Sequence, residues 1–217
     1  MSRWNDFRRL VATARNGGSP GDVALLKAEL FGAKMSDAAR AQLASTGVLE
    51  PMPRLELAAL RRLPANTLGR AYASMLDACG LQPFSISDDL SGRAEKHLAL
   101  LRYVATHDFI HVVTGFDTGW AGEIGVLAAT VEQDVAPGGV AQEWAARAYY
   151  FVRDFGNRAA IAKNRLVGRT LGAKAGPLLG FRYEDHLETP LSQVRGLLDL
   201  PEPADAGVEF ALTPVGA

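Results

Sequence analysis

The sequence predicts an all-α protein, a single-domain helical bundle. Apolar residues recur at helical spacing along most of the chain, and alternation of apolar and polar residues, the pattern of a half-buried strand, is hard to find. Glycine, proline and capping residues divide the chain into segments of helical length. With 217 residues, 48% of them hydrophobic, the chain is long enough to bury one core. It shows no internal repeats.

The first fifty residues predict three short helices. They cover residues 4–15, Pro20 to about Phe31, and Ser36 to near Gly47. The Gly17-Gly18 pair ends the first helix, and Ser19 with Pro20 gives the second an N-cap and a first helical residue. We assign residues 1–50 to an N-terminal helical extension.

Residues 51–200 are predicted to form the helical core domain. Thr67 caps a helix from Leu68 to Ala78 that ends at Gly80. A long periodic stretch then continues from Ser87 to Gly115. Further helices are predicted from about Trp120 to Asp134 and over 140–156. Residues 201–217 are rich in Pro and Ala, which is typical of a flexible C-terminal tail.

Composition excludes several classes of function. The formal net charge is -1, so no basic field indicates nucleic acid as a partner. The N-terminus lacks the apolar region of a secretory signal, and no apolar run is long enough to span a bilayer. The single cysteine, Cys79, is compatible with a reducing compartment. Its apolar neighbours Met75, Leu76 and Leu81 predict a buried thiol.

Residues that can bind a metal lie near the end of the long stretch. On a helix, His107, Asp108 and His111 project at about 0°, 100° and 40°, so they share one arc of its surface. Histidines four residues apart can reach one metal ion, and the adjacent carboxylate can turn in from the edge of the arc. A short loop follows, and Glu123 lies one turn into the next helix.

The short loop predicts that the two helices form an antiparallel pair with the site across it. The small residues Gly119, Ala121, Gly122 and Gly125 would let the two backbones approach closely. Two imidazoles and two carboxylates suit Zn2+, and because no thiolate restricts the choice, Fe2+ or Mn2+ also fit.

The same spacing also fits a surface His–Asp pair and an ordinary first-turn carboxylate. Apolar residues flank the charged ones on both helices. They are Phe109, Ile110, Val112, Val113, Ile124, Val126 and Leu127. Because unpaired charge among them would be costly, the pattern favours a shared cation.

The pattern His107-Asp108-x-x-His111, eleven residues and Glu123 resembles the signature of a ubiquinone-biosynthesis family, the fourth Coq protein. LPANTLGRAYASML (63–76) and PLLGFRYEDHLETPLSQVRGLL (177–198) also resemble segments of that family. Tyr183 stands where the family typically has Trp. The resemblance covers about residues 55–200.

The resemblance implies an all-helical, membrane-associated protein that binds a polyprenylated aromatic ring. The implied reaction is oxidative decarboxylation, in which a hydroxyl replaces the C1 carboxylate, with Asp108 and Glu123 as catalytic residues. It also allows a second interpretation, a scaffold with a structural metal that organises the other ubiquinone-biosynthesis enzymes. A homodimer is compatible with both interpretations. A bacterial member would be cytoplasmic and peripherally bound to the inner membrane.

Six further residues are candidates for contact with the substrate or lipid. Tyr103, Thr114 and Trp120 lie within about a turn of the predicted ligands, although core packing explains them equally well. Arg158, Arg165 and Arg169 belong to a basic segment without acidic residues, between Phe155 and Tyr183. This segment predicts a surface for anionic lipid, and a solvated face is the alternative.

A His-Asp type phosphohydrolase is a third hypothesis. That class needs further His and Asp ligands on separate helices. Only His97 and His186 remain available. His97 is ten residues before His107, which is about 15 Å along a helix. The sequence therefore favours the decarboxylase and the scaffold over the phosphohydrolase.

Overall fold

The computed structural model describes residues 3–15, 18–32 and 34–212. Over these ranges the chain forms helices and no strand, which confirms the all-α class and the single domain. The helices are α1 (Arg3–Arg15), α2 (Pro20–Phe31), α3 (Asp37–Thr46), α4 (Leu57–Leu60), α5 (Leu68–Cys79), α6 (Asp88–Ala94), α7 (Leu98–Thr114), α8 (Trp120–Glu132), α9 (Gly139–Arg153), α10 (Arg158–Lys174), α11 (Leu191–Leu197) and α12 (Pro203–Ala206).

Local chemistry sets several helix ends where the sequence predicts them. The Thr67 hydroxyl accepts a hydrogen bond from the Arg70 backbone N–H at 3.4 Å, so it caps α5. Gly80, which follows α5, has a φ of 65°, the left-handed conformation that glycine adopts at low cost. Ser19 precedes α2 as expected, but its hydroxyl donates to the Ser85 carbonyl instead of capping the helix. Gly17 lies outside the described residues.

The long stretch from Ser87 to Gly115 is two helices and not one. A turn of 3-10 helix at Glu95–His97 separates α6 from α7. His97 has φ -123° and ψ 23°, outside the α-helical region, so the backbone changes direction there. The apolar periodicity spans the break because both helices pack on the core.

α7 is the central helix of the bundle. Leu101, Phe109 and Ile110 belong to one apolar cluster, and Leu100 and Tyr103 belong to another. Twelve of the seventeen residues of α7 are buried. Residues near its C-terminal end are therefore held by packing from several directions.

A buried ion pair fixes α7 one turn before the predicted ligands. Arg102 is fully buried, and two of its N–H groups donate to the Glu184 carboxylate at 3.0 Å each. It also donates to the Pro51 and Leu179 carbonyls at 2.9 and 3.3 Å. One guanidinium thus ties α7 to two distant segments.

The small residues of α8 serve a different contact from the predicted one. A Cβ on Gly168 of α10 would lie 2.2 Å from the Gly125 carbonyl oxygen, so α8 and α10 cross in backbone contact. A Cβ on Gly125 would meet the Phe116 ring, and one on Gly122 would meet the Asp117 backbone. The prediction that these glycines bring α7 against α8 is therefore wrong. They leave room for the loop before α8, and Gly168 of α10 allows the close helix crossing.

Cys79 is exposed, so the prediction of a buried thiol is wrong. It is the last residue of α5, where residues 77–80 are all exposed, and its sulfur lies 3.2 Å from the Thr118 hydroxyl. Of its apolar neighbours in sequence, Met75 and Leu76 are buried but Leu81 is exposed, because the core contacts of α5 end at Leu76.

The segment from 201 to 212 lies against the loop between α7 and α8. The Leu212 N–H donates to the Gly115 carbonyl at 2.8 Å, and Phe116 forms an isolated β-bridge with Ala211. The remainder of the predicted tail, residues 213–217, lies outside the described residues. Where the structure describes the chain, no helix is both long and apolar enough to cross a membrane.

Candidate metal centre

His107, His111 and Glu123 meet where α7 and α8 face each other. The Nε2 atoms of the two histidines are 3.2 Å apart. His107 Nε2 lies 3.3 Å from one oxygen of Glu123, and His111 Nε2 lies 3.3 Å from the other. Helical spacing aligns the histidines one turn apart, and the short loop returns the chain so that Glu123 reaches both.

The backbone holds His111 in one orientation. The ring is fully buried, and its Nδ1 lies 3.1 Å from the Phe116 carbonyl oxygen. A carbonyl can only accept, so Nδ1 carries a proton and Nε2 is the nitrogen that faces the cluster. Metal-binding histidines commonly have such a bond on the second nitrogen. The Nδ1 of His107 is buried with no hydrogen-bond partner among the described residues.

The cluster shifts the pKa values of Glu123 and His107. Burial alone would raise the pKa of Glu123, but its bonds to the two histidines outweigh burial and hold the pKa well below the usual range. Burial alone would lower the pKa of His107, and Glu123 reverses this, so that the pKa lies above its ordinary value. The site therefore favours a carboxylate with positive charge beside it.

The donor atoms fit a divalent metal. One ligand atom from each of His107, His111 and Glu123 lies within 4.8 Å of the others. Ligands about 2.0 Å from a tetrahedral ion are about 3.3 Å from one another. The separations of 3.2 and 3.3 Å agree with this value. Two imidazoles and a carboxylate suit Zn2+, and the set also accepts Fe2+ or Mn2+.

Asp108, the fourth predicted ligand, lies outside this three-donor cluster. It is half-buried close by, and its charge interacts with those of both histidines and Glu123. Burial raises the pKa of Asp108 above its ordinary range, despite the opposing effect of the imidazoles. The structure thus brings together three of the four predicted ligands, and Asp108 is beside them.

The three predicted lining residues differ in their surroundings. Tyr103 is buried, its ring centre is 6.0 Å from that of His107, and burial raises its pKa to about 12. Thr114 is buried, and its hydroxyl donates to the Ile110 carbonyl at 2.5 Å. Trp120 is 37% exposed and packs on Tyr149 and Tyr150. Their contact with a substrate stays a prediction.

The predicted lipid-facing arginines are largely engaged within the protein. Arg165 Nε lies 2.7 Å from Glu143, a fully buried carboxylate that Arg169 also contacts. Arg169 additionally pairs with Glu132 at 2.7 Å. Arg158 covers the rings of Phe151 and Phe155, with its CZ atom 4.5 and 3.0 Å from their centres. Their role in lipid binding stays a prediction.

Two residues near the centre had no signal in the sequence. Tyr150 comes from α9, and both burial and the charge of Glu123 raise its pKa. Asp117 precedes α8, burial raises its pKa, and its charge interacts with His111 and Glu123. Their sequence positions show no helical register with the ligands, so only the packing of α9 and the loop on α8 places them here.

The fold and the centre define a class, an all-helical bundle with a His/His/Glu cluster shared by consecutive helices. Residues 33–204 match the family model described as coenzyme Q (ubiquinone) biosynthesis protein Coq4. This match covers well over half of the chain. The chain belongs to the Coq4 family of ubiquinone biosynthesis, and the predicted resemblance is confirmed.

Individual relatives agree with this assignment. The mitochondrial ubiquinone biosynthesis protein coq4 of Sclerotinia sclerotiorum is 27% identical over 165 residues, covering 73% of this chain and 57% of that protein. The Aspergillus oryzae protein of the same name is 39% identical over 88 residues, covering 37% and 30%. Both alignments span less than two thirds of the relative's length, so properties of the whole relatives do not transfer directly to this chain.

A solved structure shares the fold. It is a crystal structure of a candidate ubiquinone biosynthesis protein from Nostoc punctiforme PCC 73102. The TM-score is 0.59 at 20% sequence identity, and the match covers 90% of this chain and 95% of that one. At this identity the likeness supports the helical architecture alone.

Proposed function

We propose that this chain is a metal-dependent carbon–carbon lyase of ubiquinone biosynthesis that decarboxylates a polyprenylated 4-hydroxybenzoate-type precursor oxidatively. The observation that carries the proposal is the number of donors in the cluster. Structural zinc sites close their shell with four protein ligands, whereas catalytic sites use three and leave a position for water or substrate. His107, His111 and Glu123 are three, with Asp108 outside.

The reaction balances with dioxygen as the oxidant. A 4-hydroxybenzoic acid and one O2 give the para-quinone, carbon dioxide and water. The bond from C1 to the carboxylate breaks, and one oxygen atom of O2 becomes bonded to C1. Reduction of the quinone by a two-electron donor then gives the hydroquinone, in which a hydroxyl replaces the carboxylate. Zn2+ is redox-silent, so with zinc the ring itself must react with O2.

The chain's residues have distinct proposed roles. His107, His111 and Glu123 would hold the divalent ion, which when bound supplies a Lewis acid for the carboxylate or phenolic oxygen of the substrate. Asp108 lies beside the cluster and would exchange a proton with the substrate. Tyr103 and Trp120 are proposed to contact the ring. Of the two catalytic candidates, Glu123 thus acts mainly as a ligand and Asp108 as an acid or base.

The substitution Asp108→Asn tests the proposal. The zinc-loaded protein is mixed in air with a prenylated 4-hydroxybenzoate labelled at the carboxylate, and release of labelled CO2 is measured. We expect D108N to keep its fold and its zinc and to lose at least about tenfold in rate. The control is Asp88→Asn, an exposed aspartate on α6.

Two results would contradict the proposal. Full activity of D108N would remove Asp108 from the chemistry. Absence of CO2 release by the zinc-loaded wild type, with retained binding of the prenylated compound, would favour the alternative. That alternative is a scaffold with a structural metal that organises the other ubiquinone-biosynthesis enzymes.

A further inference from the structure

The polarity of α9 is inverted relative to an ordinary surface helix. Its one fully buried side chain is Glu143, and its exposed side is apolar. With Glu143 set at 0°, Val140 is exposed at about 60°, and the other exposed apolar side chains lie between about 100° and 240°. We define the α9 face by them, namely Ala141, Trp144, Ala145, Ala148, Tyr149 and Val152.

An ion cluster beneath α9 explains how the helix is held in this orientation. Glu143 is fully buried and pairs with Arg165 and Arg169 of α10. Turning the apolar side inward would expel this carboxylate from its two arginines and bring Trp144 to the core. The pairing therefore keeps the apolar side of α9 exposed. Exposing apolar surface to water costs free energy unless a partner covers that surface.

The exposure on the α9 face is large. Trp144 is 58% exposed, Val152 is 75% exposed, and Phe155 just beyond the helix is 67% exposed. The side chains are contiguous on the helix, one turn apart. Trp144 and Tyr149 each have an apolar ring with a polar edge, and such side chains suit the boundary between lipid headgroups and acyl chains.

Cationic residues lie near the α9 face in sequence. Between 135 and 182 the chain has eight cationic residues and two acidic ones, Glu143 and Asp154. Glu143 is buried, and Asp154 accepts hydrogen bonds from the Asn157 amide at 3.0 Å. The cations nearest the face in sequence are Arg147, Arg153 and Arg158. The CZ atom of Arg147 is 5.2 Å from the Trp144 ring centre, so this cation lies at the edge of the face.

We propose that the α9 face docks the protein on the surface of an anionic lipid bilayer. The apolar stripe would enter the headgroup region, and the surrounding arginines would contact lipid phosphates. A second copy of the chain fits less well, because pairing two such faces would bring like charges together around one interface. Of the three arginines predicted from sequence, Arg158 is near this surface, whereas Arg165 and Arg169 are occupied beneath the helix.

Vesicle sedimentation tests this surface. Wild-type protein is mixed with vesicles of phosphatidylcholine alone, or of phosphatidylcholine and phosphatidylglycerol in equal parts. We expect binding to the anionic vesicles that weakens as salt is added. The double variant A148E/V152E should lose at least about tenfold in vesicle affinity, because two carboxylates cannot enter the interface. Both sites are exposed, so circular dichroism should show an unchanged fold.

A matched control distinguishes binding through the α9 face from nonspecific binding of vesicles by any exposed apolar residue. Leu49 is 83% exposed and lies outside α9, so L49E should bind the vesicles as wild type does. In a W4F/W120F background, where Trp144 is the remaining tryptophan, lipids brominated on the acyl chains should quench its fluorescence.

Three outcomes would overturn the proposal. Wild-type affinity of A148E/V152E for anionic vesicles would place the docking surface elsewhere. Equal binding to neutral and anionic vesicles would remove the role of the arginines. Absence of vesicle binding, together with self-association that A148E/V152E abolishes in sedimentation velocity, would make a second copy the occupant.

Discussion

At the scale of single residues, the fully buried ionisable side chains of Arg102, Glu143 and His111 each have a charged or polar partner. Arg102 is fully buried against Glu184, and Glu143 is fully buried against two arginines. His111 is buried between a backbone carbonyl and Glu123. Removing one member of such a set leaves the other without compensation, and this costs more than the set contributes net.

We predict that Glu184→Gln lowers the free energy of unfolding by about 3 kcal/mol, because Arg102 keeps its charge in the core without a counter-ion. Urea unfolding followed by circular dichroism measures the change. Glu188→Gln is the control, since Glu188 is exposed in the same segment, and it should change stability by less than about 0.5 kcal/mol. Equal stabilities of the two variants would show that Arg102 does not depend on Glu184.

Glu123→Gln should lose zinc affinity by at least about tenfold, because a neutral amide replaces the anionic donor between the two histidines. Isothermal titration of the metal-free protein measures this, with Glu188→Gln again as the control. Affinity in the wild type should also fall as the pH drops through the pKa of His107, which lies above its ordinary value, because protons then compete with the metal for the imidazole. Unchanged affinity in E123Q would exclude the His/His/Glu set as the metal centre.

At the scale of helices, the crossing of α8 and α10 depends on the absence of side chains. A Cβ on Gly168 would also lie 2.9 Å from the Gly125 carbonyl carbon, and one on Gly172 would lie 2.3 Å from the Ala129 carbonyl oxygen. Both neighbours are backbone, which cannot move aside as a flexible side chain can. Because α8 carries Glu123, this crossing also helps to position the metal centre.

Gly168→Ala should therefore lower the free energy of unfolding by about 2 kcal/mol or more, since the added methyl group forces the two helices apart. Gly92→Ala on α6 is the matched control, because a Cβ there meets open space. Alanine favours helix at that position, so G92A should gain about 0.5 to 1 kcal/mol. Thermal unfolding compares the two, and an equal gain in G168A would contradict the close crossing.

At the scale of the whole molecule, the segment from 201 to 212 closes the fold beside the metal centre. Glu202 pairs with Arg195 at 2.5 Å, and Ala206, Val208 and Leu212 pack against the main apolar cluster. A cavity of about 710 Å³ lies under this segment, with Met75, Val112 and Asp117 among its lining residues. The segment thus covers apolar surface next to the loop that precedes α8.

A chain ending at Leu200 should lose about 2 kcal/mol of stability, because the apolar surface under Val208 and Leu212 becomes exposed. Differential scanning calorimetry would show this as a lower melting temperature. Removal of residues 213–217 alone is the control, since every contact named above lies within 201–212. An unchanged melting temperature of the shorter chain would support the prediction of a flexible tail over the whole of 201–217.

The sequence by itself determined the helical class, the ends of α2, α3 and α5, the family, and the alignment of His107 with His111. These depend on periodicity, capping and spacing, which act over a few residues. The tertiary structure decided what depends on contacts between distant residues. It grouped Glu123 with the histidines but left Asp108 beside them, and it packed the glycines of α8 against the loop that precedes α8. It also turned the apolar side of α9 outward, because Glu143 is paired with arginines that lie more than twenty residues further along the chain.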